Sequence, residues 1–129
     1  MIQIVKDADT RPWFFLQTAH TTYGMRVMET GHLEHLYYGE RITVDSQDPA
    51  SCAPLVIQRA FAPGNTCTYD REHPQISMED VCLEVGTLGK GDIREPFLEV
   101  RFADGSVTSD FTFDSYKIIT LKEREQCLQ

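Results

Sequence analysis

The sequence has few positive charges for its length. Twelve lysine and arginine residues stand against 20 aspartate and glutamate residues, which gives a formal net charge of −8 over 129 residues. A negative field repels phosphate, so the composition disfavours nucleic acid and anionic membranes as partners. No stretch approaches the ~20 apolar residues that a membrane-spanning helix needs. We therefore expect a protein that binds neither nucleic acid nor membrane.

The cysteines include no Cys-x-x-Cys pair, so a zinc site has little support. They are Cys52, Cys67, Cys82 and Cys127. The first residues do not form a secretory signal, because the apolar stretch is short and Asp7 and Asp9 interrupt it. The expectation is a cytoplasmic protein with four free thiols, because thiols stay reduced in that compartment. No metal and no cofactor are expected.

Helical caps and a 3.6-residue period are nearly absent, and apolar and polar residues alternate with a period of two. Hydrophobic residues make up 41% of the chain, enough for a core without disulfides or metals. About six or seven strands with polar turns are typical of an all-β, antiparallel β-sandwich. This strand number is small for two complete sheets, so we expect residues 1–129 to form a single, partial domain.

Strands are predicted at residues 13–18, 21–28, 33–38, 55–61, 97–102, 107–113 and 116–121. Gly31 can adopt a positive φ, which predicts a hairpin turn with a loop of two or three residues. Residues 45–54 are interpreted as a loop and residues 62–91 as a long connection. Residues 76–83 fit either a strand or a helical turn.

Asp104 and Gly105 form the strongest short hairpin signal in the sequence. With these two residues as the loop, Phe102 would face Val107, and the apolar positions of both strands would share one face. The side chains on that predicted face are Leu98, Val100, Phe102, Val107, Phe111 and Phe113.

His32 and His35 suggest a metal site, but in a strand they point to opposite faces and cannot chelate together. We interpret them as surface or half-buried histidines. The carboxylate pairs Glu79–Asp80 and Asp110/Asp114 are candidates only by their adjacency. Nothing in the sequence indicates the burial that would separate their pKa values, so a solvated surface is the better interpretation.

Asp92 and Arg94 follow a glycine-rich segment and directly precede a predicted strand. In extended backbone their side chains would project in the same direction. An aspartate that accepts hydrogen bonds from sugar hydroxyls, beside an arginine that donates to them, is a plausible carbohydrate contact. The alternative is a local salt bridge that holds the loop, which is common and contributes little stability.

Several short motifs occur in a fixed order. They are FLQT at 15–18, TY at 22–23, GHLEHLYYG at 31–39, GDIREP at 91–96, EVR at 99–101, DGS at 104–106 and DF at 110–111. Together they cover most of residues 13–118, and the chain resembles the opening of α-galactosidases of glycoside hydrolase family 36. Two features depart from the family pattern: Ile93 stands where an aromatic residue is usual, and residues 65–73 do not match.

The resemblance implies part of a larger super-sandwich of the galactose-mutarotase type, followed by a catalytic (β/α)8 barrel and a C-terminal β domain. It implies retaining hydrolysis of terminal α-galactosides such as melibiose, raffinose and stachyose, with both catalytic aspartates on the barrel. The barrel is absent from this chain, so none of its carboxylates is expected to be catalytic. The family's homo-oligomers bring this domain near a neighbouring active site, which makes Asp92 and Arg94 substrate-binding candidates.

Two hypotheses of different classes follow. In the first, the chain is a glycosidase domain with roles in scaffolding, oligomer contact and shaping of a galactoside site. In the second, it is a free-standing carbohydrate-binding or protein-interaction module, since a fold does not fix a function. The reading frame after Gln129 distinguishes them.

Overall fold

The structure is a computed structural model of the chain and describes residues 1–57, 68–92 and 95–119. Its centre is a four-stranded antiparallel sheet in the order β1 (Ile2–Lys6), β2 (Pro12–Gln17), β3 (Thr21–Val27) and β4 (Leu33–Glu40). The all-β, antiparallel prediction is confirmed, and β2, β3 and β4 lie where alternation predicted strands. Strand β1 was missed, because its five residues are too few to establish an alternating pattern.

One face of the sheet carries the core. Trp13 lies opposite Val5 and Phe15 lies opposite Gly24 in the strand register, so these residues share a face. The segment after β4 packs Val44 and Cys52 against that face. The ring of Phe15 lies so close to Gly24 that a Cβ there would be 3.1 Å from it. Glycine at this position therefore gives the ring the space to be fully buried.

The opposite face is covered by the last described segment. Phe14 points away from its neighbours Trp13 and Phe15, because successive side chains of a strand alternate between faces. Its ring centroid lies 5.9 Å from that of Phe113 and 5.1 Å from that of Tyr116. Aromatic rings at these separations contribute packing beyond their buried area. Residues 113–116 thus hold the end of the described chain against the sheet.

The outer edge of strand β4 is partly covered by another segment of the chain. The backbone nitrogen of His35 donates to the carbonyl oxygen of Cys82 at 2.8 Å, and that of Glu84 donates to Leu33 at 2.9 Å. Residues 82–84 therefore extend the sheet and satisfy edge groups that would otherwise pair with another chain. The undecided segment 76–83 contains both alternatives: a 3₁₀ turn at Met78–Asp80 and a β-bridge at Leu83.

The β3–β4 turn has a three-residue loop. The backbone nitrogen of Met28 donates to His32 at 2.8 Å, and that of Gly31 donates to Met28 at 2.9 Å. Gly31 has a φ of 86°, the left-handed conformation that the last position of such a loop requires. The structure thus selects the longer of the two predicted loops.

The register predicted for the Asp104–Gly105 hairpin is wrong. The backbone nitrogen of Phe102 donates to Ser106, not to Val107, and that of Gly105 donates to Phe102. The loop therefore has three residues, and Gly105 has a φ of 86°. An Asp-Gly pair suits both loop lengths, and the bonds from the Ser106 backbone and hydroxyl to Asp104 Oδ1 favour the longer one.

The predicted strands beside that turn are also absent. Residues 97–102 and 107–113 are not assigned to strands, and the six apolar positions do not form a buried face. Leu98, Phe102 and Phe111 are exposed, and Phe97 is 77% exposed. Within the described residues, Leu98 forms a single β-bridge with Thr87, and Phe113 packs on Phe14. The predicted pattern therefore makes isolated contacts and does not pair along two strands.

Two further strand predictions fail where the structure can test them. Pro49–Leu55 is a 3₁₀ helix, which begins where the carboxylate of Asp48 accepts from the backbone nitrogen of Ala50. Leu55 therefore ends a helix instead of beginning a strand, and residues 58–61 lie outside the described residues. Residues 116–119 are not in a strand, and residues 120 and 121 lie outside the described part.

Gly31 and Gly105 offer a matched test of the turns. Both have a φ of 86°, but a Cβ at Gly31 would lie 3.2 Å from Cβ of Thr112, whereas a Cβ at Gly105 would meet nothing within 4 Å. We expect Gly105→Ala to lower the free energy of unfolding by about 1 kcal/mol, from the left-handed conformation alone, and Gly31→Ala by about 2 kcal/mol. Urea unfolding measures both, and equal losses would contradict the contact with Thr112.

Candidate functional site

The segment that carries Asp92 is a tight turn between two short strands, β5 (Thr87–Leu88) and β6 (Gly91–Asp92). The backbone nitrogen of Lys90 donates to Thr87 at 3.0 Å, and that of Thr87 donates back to Lys90 at 3.2 Å. Gly89 has a φ of 79°, which a residue with a Cβ rarely adopts. The glycines of this segment therefore build a defined turn immediately before Asp92.

Of the two predicted site residues, the structure places the backbone of Asp92 in β6. Arg94 lies outside the described residues. That both side chains project together toward a sugar stays a prediction.

Thr87 anchors this turn in the protein. Its side chain is 1% exposed, and its hydroxyl donates to the carbonyl oxygen of Ser109 at 2.5 Å. The backbone nitrogen of Leu98 donates to Gly86 at 3.3 Å. On another side, β6 contacts the 3₁₀ turn Met78–Asp80. The backbone that presents Asp92 is thus held by three separate parts of the chain.

A series of polar contacts connects the same turn to the sheet. The Lys90 ammonium lies 4.7 Å from the centroid of the Tyr69 ring, and the Tyr69 hydroxyl donates to Asp110 Oδ2 at 2.8 Å. Asp110 Oδ1 lies 2.5 Å from Nε2 of His32. The other ring nitrogen of His32 lies 2.8 Å from the Thr30 hydroxyl in the β3–β4 turn. We call Thr30, His32, Asp110, Tyr69 and Lys90 the His32 network.

The pKa shifts of Asp110 and Tyr69 suit a structural role for the His32 network. Burial would raise the pKa of Asp110, but hydrogen bonds from His32 and Tyr69 outweigh it, so this pKa is lowered. The hydrogen bond to Asp110, together with burial, raises the pKa of Tyr69 to about 12. At neutral pH the carboxylate is therefore an acceptor for both partners, and the tyrosine keeps its proton. The network therefore holds the β3–β4 turn, Asp110 and the Tyr69–Lys90 contact together.

The histidine interpretation needs revision. His32 is 2% exposed, so it is a buried residue with hydrogen bonds at both nitrogens. His35 is half-buried, as predicted, and its Nδ1 lies 3.1 Å from Glu84 Oε1. The two rings have different partners, as their opposite directions predicted. Within residues 1–57, 68–92 and 95–119, no group of three potential ligands could hold a metal ion.

The carboxylate pair Asp110/Asp114 separates into two cases. Asp114 is exposed and, within the described part of the chain, accepts a local bond from Ser115, which agrees with a solvated surface. Asp110 is also at the surface, as predicted, but its carboxylate bonds to His32 and Tyr69. Its histidine partner lies 78 residues away in the sequence, and no local pattern could reveal that pairing.

Among the described residues, no helix has the length and apolar character needed to cross a bilayer.

The family model for the glycosyl hydrolase family 36 N-terminal domain matches residues 31–128. The chain therefore belongs to this family. The family named from the sequence motifs is confirmed.

Individual relatives agree with this assignment. The chain is 35% identical over 116 residues to the bifunctional α-galactosidase/sucrose kinase AgaSK of Mediterraneibacter gnavus, covering 89% of the chain. It is 29% identical over 111 residues to the α-galactosidase AgaA of Geobacillus stearothermophilus, covering 86% of the chain. The crystal structure of the α-galactosidase from Lactobacillus brevis matches with a TM-score of 0.71 and 33% identity over 88% of the chain.

The chain is much shorter than these relatives. It spans 12% of the length of AgaSK, 14% of AgaA and 14% of the Lactobacillus brevis chain.

Proposed function

We propose that this chain is the leading part of the N-terminal β-sandwich domain of a retaining α-galactosidase that acts on terminal α-galactosides of the melibiose and raffinose type. The observation that carries the proposal is the family match over residues 31–128. The curated relatives, which are α-galactosidases, support it. In this proposal the catalytic aspartates belong to a barrel outside this chain. None of the carboxylates of the 129-residue chain reacts with substrate.

The role of the chain within such an enzyme is to scaffold, to make oligomer contacts and to shape the galactoside site. Exposed apolar side chains support the first two roles, since surfaces of this kind are usually covered by further protein. They lie at Phe97, Leu98, Phe102, Phe111, Ile118 and Ile119. We also propose a cytoplasmic location, supported by the free thiol of Cys52, which packs in the core as a small apolar side chain.

Asp92, with Arg94, is the proposed contact to the sugar. The anchored turn supports this role, because a binding residue needs a backbone held in place by its surroundings. Thr87 and the neighbouring Lys90 provide that support from opposite ends of the turn. The competing interpretation is a local salt bridge between the two residues, which would affect the fold slightly and the reaction not at all.

In the full-length enzyme, Asp92→Ala and Arg94→Ala are each expected to lower kcat/KM about tenfold or more, equivalent to about 1.4 kcal/mol, with little change in Tm. Steady-state kinetics with a chromogenic α-galactoside and a thermal melt measure the two effects. Asp114→Ala and Arg101→Ala are the matched controls, because both side chains are exposed and lie outside the turn. The 129-residue chain alone serves as the blank and is expected to be inactive.

Wild-type kinetics in both variants would contradict the substrate role of this pair. A lower Tm with unchanged kcat/KM would support the local salt bridge. The alternative function, a free-standing carbohydrate-binding or protein-interaction module, is tested separately by the gene: a native stop codon after Gln129 would support it.

A further inference from the structure

A cavity of about 330 Å³ lies at one end of the four-stranded sheet. The β1–β2 turn contributes Asp7 and Arg11 to its lining, and the β3–β4 turn contributes Met28 and Glu29. Residues 74–77 and 80–81 contribute a further wall, and the lining also includes Arg26, Val27, Glu34, Ile57 and Thr68. Its volume falls at the lower end of the range of small-molecule sites, about 300–1,000 Å³. The space therefore suits one small ring-shaped molecule better than an extended chain.

Two arginines of the lining are fixed before any ligand binds. Arg26 Nε donates to Glu34 Oε2 at 2.7 Å, and its guanidinium lies 5.3 Å from the centroid of the Trp13 ring. Arg11 donates from Nε to Asp7 at 3.0 Å and from Nη2 to Asp9 at 2.7 Å. A guanidinium carries five N–H donors, so these bonds orient each group and, among the described residues, use part of its capacity. The cavity thus has oriented donors.

Acceptors and apolar groups line the same space. The amide nitrogen of Gln75 donates to Glu29 Oε1 at 3.0 Å, which leaves the amide oxygen of Gln75 as an acceptor. Thr68 and Ser77 contribute hydroxyls, which donate and accept. Apolar side chains of Val27, Ile76 and Val81 also border the cavity. A sugar ring presents hydroxyls at its rim and C–H groups on its faces, and this lining matches both.

The charge of the lining selects the class of ligand. Among the described residues of the lining, four carboxylates, at Asp7, Glu29, Glu34 and Asp80, exceed the two guanidinium groups. An excess of negative charge repels phosphate and carboxylate ligands. A neutral molecule with several hydroxyls meets no such repulsion and can use both the donors and the acceptors.

From this geometry we infer that the cavity binds a single neutral sugar ring, at a site separate from Asp92. The 3₁₀ turn Met78–Asp80 lies between the two, because it contributes Asp80 to the cavity and contacts strand β6. A sugar in the cavity would therefore rest against the same turn that supports the Asp92 backbone. Sugar binding in this cavity does not require hydrolysis. It can therefore be tested independently of the proposed function.

The test is a titration of the isotope-labelled 129-residue chain with galactose, followed by amide NMR, up to about 50 mM because affinities of single sugar rings are expected near millimolar. We expect saturable shifts centred on the Arg11, Arg26 and Ile76 amides. Arg11→Ala, which removes charged donors, should weaken binding about tenfold. Ile76→Trp, which fills the cavity, should abolish it. Arg101→Ala removes an exposed guanidinium elsewhere and should leave the affinity unchanged.

Each other result counts against the inference. Absence of saturable shifts in a folded wild-type chain would overturn it, with folding checked by the fluorescence of Trp13. Shifts that Arg101→Ala reduces as strongly as Arg11→Ala would indicate weak association with the general surface. Tighter binding of inorganic phosphate than of galactose would show that the charge argument is wrong.

Discussion

Replacement of Phe15 by alanine is expected to lower the free energy of unfolding by about 3–5 kcal/mol, because it removes a fully buried ring and leaves a cavity. The side chain is 0% exposed and packs with Val5, Trp13, Val44 and Cys52. The ring also covers Gly24, which has no side chain to fill the space left behind. Domains of this size are stable by only about 5–15 kcal/mol, so this single change removes a large share.

Urea unfolding followed by fluorescence measures this effect directly. Trp13 is the single tryptophan of the chain and lies in the same core, so its emission reports on the region that changes. Phe97→Ala is the matched control, because that ring is largely exposed and its removal should change stability by less than about 0.5 kcal/mol. Similar losses for the two variants would mean that Phe15 is not the centre of the core.

Replacement of Asp110 by alanine is expected to lower the free energy of unfolding by about 2–3 kcal/mol. The change leaves Nε2 of the buried His32 without its acceptor, and an unsatisfied buried donor costs about 1–3 kcal/mol. It also removes the acceptor of the Tyr69 hydroxyl. Asp114→Ala is the control, since that exposed carboxylate should matter by less than about 0.5 kcal/mol. Equal effects would refute the network as a source of stability.

The pH dependence of the same variants gives an independent check. The pKa of Asp110 is lowered in the folded chain, where hydrogen bonds from His32 and Tyr69 outweigh burial, so its contribution is fully present above the ordinary value of 3.8. That contribution is lost as the pH falls through the lower folded value. The stability difference between the wild type and Asp110→Ala should therefore narrow below pH 3.8. A difference that stays constant down to acid unfolding would contradict the shift.

The sequence predicts those parts of the fold that depend on local patterns. Strands β2, β3 and β4 follow alternation, and the turn between β3 and β4 follows from Gly31. The register after Phe102 could not be obtained in this way, because Asp-Gly pairs occur in loops of two and of three residues. The Ser106 hydroxyl contact that accompanies the longer loop is visible only in the structure.

In the candidate site, too, contacts between distant residues could not be predicted from local sequence patterns. From the sequence, the glycine-rich segment before Asp92 is interpreted only as part of a long connection, and the structure contains a turn at Thr87–Lys90. Part of the support for this turn comes from the His32 network, whose residues lie far apart in the sequence. Contacts over such separations are set by how segments pack on the sheet, and a single sequence contains no record of that packing.

The order of strands in the sheet also bears on how fast this part of the chain folds. Every pairing among β1, β2, β3 and β4 joins strands that are neighbours in the sequence. Such contacts require only short loops to close, so little chain entropy is lost before pairing begins, and folding is correspondingly fast. The four strands fit within 40 residues, a span that translation covers in about 2–8 seconds. Each strand therefore has its partner within reach soon after synthesis, while the more distant contacts of Asp110 and Phe113 must wait for the later segments.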